Sequence, residues 1–138
     1  MRVFLDANIL LDILESRSEF VEESTEVLVL CEELNAELFI AWHSLATIYY
    51  LIRRRRSEQE TMEEIERLLA WAQIAPVDSS SAVRAKDLGF PDFEDAMQCV
   101  CAENCGAEVI VTRNQKDFTA SPVPSLSPSA FCAKHNLS

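Results

Sequence analysis

Short apolar runs alternate with longer segments of helical periodicity along the whole chain, and this alternation limits the fold more than any other feature. The runs at residues 3–5, 38–40 and 109–112 are typical of buried strands, because they are short, apolar and bounded by polar residues. We also predict a short strand at 74–77 and an edge strand within 122–127. Strands that alternate with helices form a parallel sheet covered by helices. The sequence therefore predicts an α/β fold with a mostly parallel sheet of four to five strands.

The segments between these runs have apolar residues at spacings of three and four, which indicates amphipathic helices. Ser57 followed by Glu60 is a capping-box pattern, and glycines at 89 and 106 are typical of helix ends. We predict helices over residues 9–14, 18–35, 44–55, 57–73, 79–88 and from 91 to about 104, a loop over 113–118, and a last helix from residue 127. No repeat or low-complexity tract divides the chain, so we predict one domain over residues 1–138.

Composition limits the environment and the partners. No apolar run approaches the roughly 20 residues that a membrane span needs, and an acid at position 6 is too early for a signal peptide. We therefore expect a cytoplasmic protein. Five cysteines without a CxxC pair are best interpreted as buried core thiols. A net charge of −11 disfavours binding to phosphate backbones by charge alone, unless a metal or a basic patch reverses the local field, and it suits a basic protein partner.

Polar side chains gather where the predicted strands end. Sites in parallel sheets form outside the carboxyl ends of the strands. If the first and fourth strands are neighbours, the residues that converge there are Asp6, Asp92, Glu94, Asp95, Asn114 and Asp117. Several carboxylates without basic partners cannot all ionise cheaply. A hard divalent cation relieves their repulsion, and Mg²⁺ or Mn²⁺ accepts such oxygen ligands.

Each of these acids also has a purely structural interpretation. Asp6 is in position to cap the first helix, and Asp92 is in position to cap a later one, with Asp95 three residues on. Asp117 is in position to brace its loop. Asp12 is expected to be a solvated acid on the first helix. Only the joint pattern of acids at strand ends favours a metal site over these separate roles.

Five segments together resemble the PIN-domain nucleases, and more narrowly the single-domain VapC-type toxins. The segments are RVFLDANILLDIL, SLATIYYLIRR, DFEDAMQ, EVIVTRNQKDF and SPSAFCAKH. The resemblance covers nearly the whole chain and implies a three-layer α/β/α domain. It also implies an endoribonuclease that depends on Mg²⁺ or Mn²⁺ and hydrolyses RNA phosphodiester bonds. Relatives of this kind form homodimers and are blocked by a small antitoxin protein, often through a basic side chain.

The resemblance also implies roles for particular residues. Asp6 and Asp95 match the family's first and third acids and are the implied metal ligands. The second acid position is occupied by Thr47 and the fourth by Asn114, so neither carries a carboxylate here. On this resemblance Asn114 ligates the metal through its amide oxygen or holds a water that does.

Two further residues match polar positions of the family, and three acids are candidates for other roles. Asn8 and Thr112 correspond to side chains that steady the metal ligands. Glu94 and Asp117 are the candidates for orienting the attacking water. Asp92 is an alternative to Glu94 as a replacement for a missing acid.

Two other readings of the sequence stay open. The first is a catalytically degenerate PIN-like domain that binds RNA or protein without cleaving, and Thr47 with Asn114 favours it. The second is a phosphatase-like α/β hydrolase, which needs a DxD motif after the first strand. Here Asp6-Ala7-Asn8 offers one acid, so this second reading is disfavoured.

The basic run at residues 53–56 fits either phosphate contacts or a solvated helix end, and we favour the solvated end. Four aromatic side chains could stack on bases, but core or dimer packing is favoured for them. They are Trp42, Tyr49, Tyr50 and Trp71. We interpret His43 as a polar loop residue.

Overall fold

The computed structural model describes residues 1–136, and over that range strands and helices alternate as the sequence predicts. The strands are β1 (Arg2–Leu5), β2 (Glu37–Ile40), β3 (Ala72–Ile74), β4 (Val109–Val111) and β5 (Ser125–Leu126). The helices are α1 (Ala7–Leu14), α2 (Val21–Glu33), α3 (Trp42–Arg53), α4 (Glu58–Trp71), α5 (Ser79–Asp87), α6 (Phe93–Asn104) and α7 (Pro128–His135). A short 3₁₀ helix, Gln115–Phe118, follows β4.

The five strands form one parallel sheet in the order β3-β2-β1-β4-β5. The central strand β1 is paired with β2 on one side and with β4 on the other, and Leu5 is opposite Val111. The backbone N–H of Asp6 extends this ladder by donating to the carbonyl of Val111 at 3.1 Å. The carboxyl ends of β1 and β4 therefore meet, as the predicted convergence of their polar residues requires.

Successive residues of β1 face opposite sides of the sheet, and each side has its own apolar core. Val3 and Leu5 pack with residues of α1, α2, α3, α4 and α7. Phe4 packs on the other side with α6 residues such as Cys101 and Ala102, and α5 packs against α6. This confirms the three-layer α/β/α architecture. All five cysteines are free and buried, as predicted.

The third strand differs from its prediction. It was expected at residues 74–77 after a helix reaching 73, but α4 ends at Trp71 and β3 begins at once with Ala72. Ala72 is the C-cap of α4 and already has an extended backbone. No turn residues separate the helix from the strand, so no residue in the sequence marks this boundary. The predicted loop over 113–118 likewise contains the 3₁₀ helix.

No helix within residues 1–136 is both long enough and apolar enough to cross a membrane.

Candidate active site

Asp6 links β1 to α1 at the centre of the sheet's carboxyl edge. It is the N-cap of α1, with its Oδ1 accepting from the backbone N–H of Asn8 at 3.4 Å. It is also 6% exposed, and its Oδ2 accepts from the Thr112 hydroxyl at 2.7 Å and the Asn8 amide at 3.1 Å. One carboxylate therefore both caps α1 and forms part of the candidate site. Among residues 1–136, all the groups that donate hydrogen bonds to it are neutral.

A fourth neutral donor reaches Asp6 from α6. The amide nitrogen of Gln98, which is fully buried, donates to Asp6 Oδ1 at 3.0 Å and to both carboxylate oxygens of Glu94 at 2.9 and 3.0 Å. Sequence analysis did not single out this residue. The signal was available, because Gln98 lies four positions after Glu94 and therefore on the same face of the helix. Gln98 joins two carboxylates without supplying a positive charge.

Burial raises the pKa of Asp6 above the ordinary value of 3.8. Hydrogen bonds from Thr112 and Gln98 oppose this rise, whereas the charge of Glu94 adds to it. The ionised form of Asp6 is therefore held in place by hydrogen bonds but is not neutralised by a cation of the protein.

The first turn of α6 brings further acids to this edge. Asp92 is the N-cap and accepts from the backbone N–H groups of Glu94 and Asp95 at 2.8 and 3.3 Å. Burial is the largest cause that raises the pKa of Asp95 from 3.8 to about 6, and the charges of Asp92, Glu94, Asp117 and Asp6 contribute to the same rise in that order. Asp92, Asp95 and Asp117 also line one pocket of about 120 Å³. The acids thus lie close enough to disfavour one another's ionisation.

The loop after β4 contributes Asn114 and Asp117. The backbone N–H of Asn114 donates to the Thr112 hydroxyl at 3.0 Å, and this hydroxyl in turn donates to Asp6. The side chains of Asn114 and Asp117 are exposed at the same edge. Thr112 therefore connects the loop that carries both residues directly to Asp6.

Thr47 makes no hydrogen bond to these acids within residues 1–136, and it is exposed on α3. His43 lies in the first turn of α3, with Nε2 at 3.7 Å from Glu94 Oε2. The interpretation of His43 as a loop residue was wrong, because α3 begins immediately after β2 rather than at residue 44.

Asp12 contradicts its prediction as a solvated acid. It is fully buried and accepts from the Arg113 guanidinium at 2.9 and 3.0 Å and from the Ser24 hydroxyl at 3.0 Å. Arg17 adds an ion pair at 3.7 Å, and the Arg113 guanidinium also lies 3.9 Å from the centre of the Phe20 ring. Since Arg113 stands between Thr112 and Asn114, this pair fixes the loop that follows β4.

A comparison with protein families supports the fold described above. A family model described as the PIN domain matches residues 2–116, which includes all the acids described above except Asp117. This chain belongs to the PIN domain family. A relative named Ribonuclease VapC1, from Aquifex aeolicus (strain VF5), is 24% identical over 140 residues, covering 98% of this chain and 96% of the relative.

Solved structures similar to this PIN domain include toxin–antitoxin complexes. VapBC2 from Rickettsia felis, bound to a promoter DNA fragment, superposes with a TM-score of 0.71 at 16% identity over 92% of this chain and 98% of the matched chain. A toxin–antitoxin complex from Klebsiella pneumoniae gives a TM-score of 0.71 at 23% identity over 91% and 97%. These likenesses establish the shared fold.

The donor set of this PIN domain fits a hard divalent cation. Asp6, Glu94 and Asp95 offer carboxylate oxygens, and the side-chain oxygens of Asn8 and Gln98 are buried without a hydrogen-bond partner within residues 1–136. In the same range no three or more His, Cys, Asp or Glu side chains form a group that could hold a metal ion by themselves. Mg²⁺ takes only one or two carboxylates and retains several waters, so the type of these oxygens suits it.

Proposed function

We propose that this protein is a metal-dependent endoribonuclease that hydrolyses RNA phosphodiester bonds and acts as the toxin of a toxin–antitoxin pair. One observation carries the proposal: among residues 1–136 the buried carboxylate of Asp6 receives hydrogen bonds from neutral donors alone, and it faces further acids from α6. A structural role alone does not require such repulsion, because a cap or a brace is satisfied by one acid. The name of the relative from Aquifex aeolicus supports the same activity.

Asp6 and Asp95 would hold Mg²⁺ or Mn²⁺, with the amide oxygen of Asn114 as a further ligand. The bound cation would neutralise charge at the scissile phosphate and lower the pKa of a water. Thr112, Asn8 and Gln98 keep the Asp6 carboxylate in one orientation by the hydrogen bonds described above. Substrate and cation therefore meet a carboxylate whose position is already determined.

Glu94 is our candidate for orienting the attacking water and accepting its proton, with Asp117 as the alternative. The Glu94 carboxylate is half-exposed, so it is open to solvent and substrate, yet Gln98 holds both of its oxygens. Asp117 is also exposed and lines the same pocket as Asp95. Glu94→Gln and Asp117→Asn therefore test the two assignments separately, and only the variant of the residue that acts on water should lose turnover.

The experiment that tests the activity compares three proteins on a fluorescent single-stranded RNA with Mg²⁺ or Mn²⁺. Wild type should cleave, and Asp6→Asn should lose more than about 100-fold in rate, because a metal ligand is removed. Asp87→Asn, an exposed acid at the end of α5, is the matched control and should cleave as wild type does. Cleavage by Asp6→Asn at the wild-type rate would overturn the proposal.

A second function, binding of RNA or protein without cleavage, is favoured by the exposed Thr47 and by Asn114 in two acid positions. It predicts that purified wild type neither binds Mn²⁺ nor cleaves RNA at any metal concentration. The first function predicts both. Measuring metal binding and cleavage on the same preparation separates the two.

The toxin assignment also proposes partners. The similar complexes of Rickettsia felis and Klebsiella pneumoniae pair their PIN-fold chain with an antitoxin. By analogy, this chain would act in the cytoplasm as a homodimer and be blocked by a small antitoxin, to which its net charge of −11 offers an acidic surface. Co-expression with the product of an adjacent small reading frame should yield a stable complex that no longer cleaves RNA.

A further inference from the structure

The α3 helix presents a row of aromatic side chains that leads to a basic run. Trp42, Ala46, Tyr50 and Arg54 follow at intervals of four, so they lie on successive turns along one side of the helix. Trp42 is 63% exposed and Tyr50 is 69% exposed. Core or dimer packing was the favoured role for these aromatics; for Trp42 and Tyr50 core packing was wrong, and dimer packing stays a prediction. Large apolar surfaces left in water at a regular spacing indicate a binding face.

Trp42 and Tyr50 line the same groove, of about 500 Å³, between α3 and α4. Its remaining walls are largely apolar and comprise Leu45, Ala46, Met62 and Ile65. The Tyr49 ring meets the Tyr50 ring edge-on at 5.2 Å, and the Tyr49 hydroxyl donates to Glu58 Oε2 at 2.7 Å. Tyr49 is thereby held in place and supports Tyr50, whose own ring remains open to solvent.

The groove begins next to the acids. Trp42 and His43 also line a smaller pocket of about 140 Å³ whose opposite wall includes Met97 and Cys101 of α6. His43 Nε2 is 3.7 Å from Glu94 Oε2 and is buried without a hydrogen-bond partner within residues 1–136. His43 also lines the groove, so the groove reaches the acid cluster at Glu94 and a ligand along α3 can extend to the acids.

The far end of the groove is positively charged. Arg53 is occupied by Glu58, whose Oε2 lies 3.2 Å from its Nε, and Arg56 donates to the carbonyl of Leu14. The exposed side chains of Arg54 and Arg55 have no hydrogen bond or ion pair in the part of the chain that the structure describes. At about 1.5 Å per residue, they lie roughly 18 Å from Trp42 along the helix.

We propose that Trp42, Tyr50, Arg54 and Arg55, together called the α3 track, bind the single-stranded RNA on one side of the scissile bond. Bases stack on Trp42 and Tyr50, and the two arginines contact phosphates farther along the strand. Aromatic platforms interleaved with cations are the usual means of holding single strands without sequence readout. A protein with a net charge of −11 needs such a local reversal of charge to hold a polyanion. The inference rests on the proposed function and names how that site receives its substrate.

Binding is measured without metal, in the full-length Asp6→Asn protein, by fluorescence anisotropy of a short, unstructured, fluorescein-labelled RNA of A and U. Trp42→Ala should weaken the Kd roughly 5- to 100-fold, because one stacking platform is lost. Trp42→Phe should keep most of the affinity, which controls for folding. Trp71→Phe is the matched control at the end of α4 and should bind as the parent does. In that single-tryptophan protein, RNA should quench the remaining emission of Trp42.

The arginines have a separate signature. Arg54→Ala with Arg55→Ala should reduce the slope of log Kd against log salt by about 1.4, since each phosphate contact on a single strand contributes about 0.7. Lys86→Ala with Lys134→Ala removes the same charge from α5 and α7 and should leave the slope unchanged.

Two results would overturn the α3 track. The first is unchanged RNA affinity in Trp42→Ala together with unquenched Trp42 emission. The second is a change in the oligomeric state of Trp42→Ala, measured by light scattering, without a change in its RNA affinity. This face would then be an interface between copies of the chain. Because none of these readouts requires cleavage, an inactive wild type would overturn the proposed nuclease while leaving the track supported.

Discussion

Asp6 and Asp12 are both buried at the first helix, yet the groups around them differ in charge. Asp6 receives its hydrogen bonds from Thr112, Asn8 and Gln98, all of them neutral. Asp12 receives two guanidinium groups and a hydroxyl. An ionised carboxylate without a cation is costly to bury, whereas a paired one is stable unless its partner is removed.

This difference separates the acid of the candidate site from a structural acid. Asp12 is neutralised within the chain and joins α1 to α2 and to the loop after β4, so its role is complete in the isolated protein. Asp6 is oriented but not neutralised, and Glu94 and Asp95 increase the excess of negative charge around it. We propose that a cation from solution completes the site around Asp6, and variants at each of the two aspartate sites test this difference.

The largest expected effect on stability comes from Asp12→Asn. The substitution removes the anion that pairs with the Arg113 guanidinium, while Arg17 keeps its second partner Glu15 at 3.4 Å. We expect a loss of about 3 kcal/mol in the free energy of unfolding, measured by urea denaturation. Ser24→Ala removes only a hydroxyl donor to the same carboxylate and should cost about 1 kcal/mol. An Asp12→Asn protein as stable as wild type would remove the distinction between the two aspartates.

Gln98→Glu should destabilise the protein less than Asp12→Asn does, and a metal ion should relieve part of this loss. It replaces the neutral link between Asp6 and Glu94 by a third carboxylate, so the metal-free protein should lose about 1–3 kcal/mol near neutral pH. Mn²⁺ should restore more stability to this variant than to wild type, as measured by thermal unfolding with and without the ion. Gln98→Met, which adds no charge, should show no such extra response. Equal responses in both variants would contradict a charge-based explanation.

The smallest expected effect is the dependence of stability on pH through Asp95. Burial and neighbouring acids raise its pKa in the folded protein to about 6 from the ordinary 3.8. The folded state therefore holds this proton more tightly than the unfolded state, and the stabilisation is lost as pH rises through about 6. Asp95→Asn removes this loss, so in chelator the variant should exceed wild type in stability above about pH 6 and match it near pH 4. A constant difference across this range would contradict the repulsion among the acids.

Local patterns were sufficient to predict a parallel sheet, because the apolar runs that became β1, β2 and β4 stand between polar residues. The convergence of the acids was predicted only on the condition that β1 and β4 are neighbours, and the strand order meets that condition. The boundary at Ala72 was missed because α4 passes into β3 without a turn. Asp92 and Ser57 were recognised as caps because capping depends on residues within one turn.

Long-range partners explain the remaining differences. Asp12 has the appearance of a solvated helix acid because its ion-pair partner Arg113 is distant in the sequence and meets it only through the pairing of β1 with β4. The Asp6–Gln98 contact likewise requires α6 to lie against the end of β1. Such pairs have no periodicity that a single sequence displays. The exposure of Trp42 and Tyr50 is unpredictable for the same reason, because it depends on which face of α3 the other helices cover.

The most direct test of the account is a titration of Mn²⁺ followed by electron paramagnetic resonance, which detects free Mn²⁺ and needs neither RNA nor an antitoxin. Wild type and Asp87→Asn should remove Mn²⁺ from solution, whereas Asp6→Asn, folded by circular dichroism, should leave nearly all of it free. Binding of Mn²⁺ by Asp6→Asn with the affinity of wild type would show that the uncompensated carboxylate at the end of β1 is not the metal ligand.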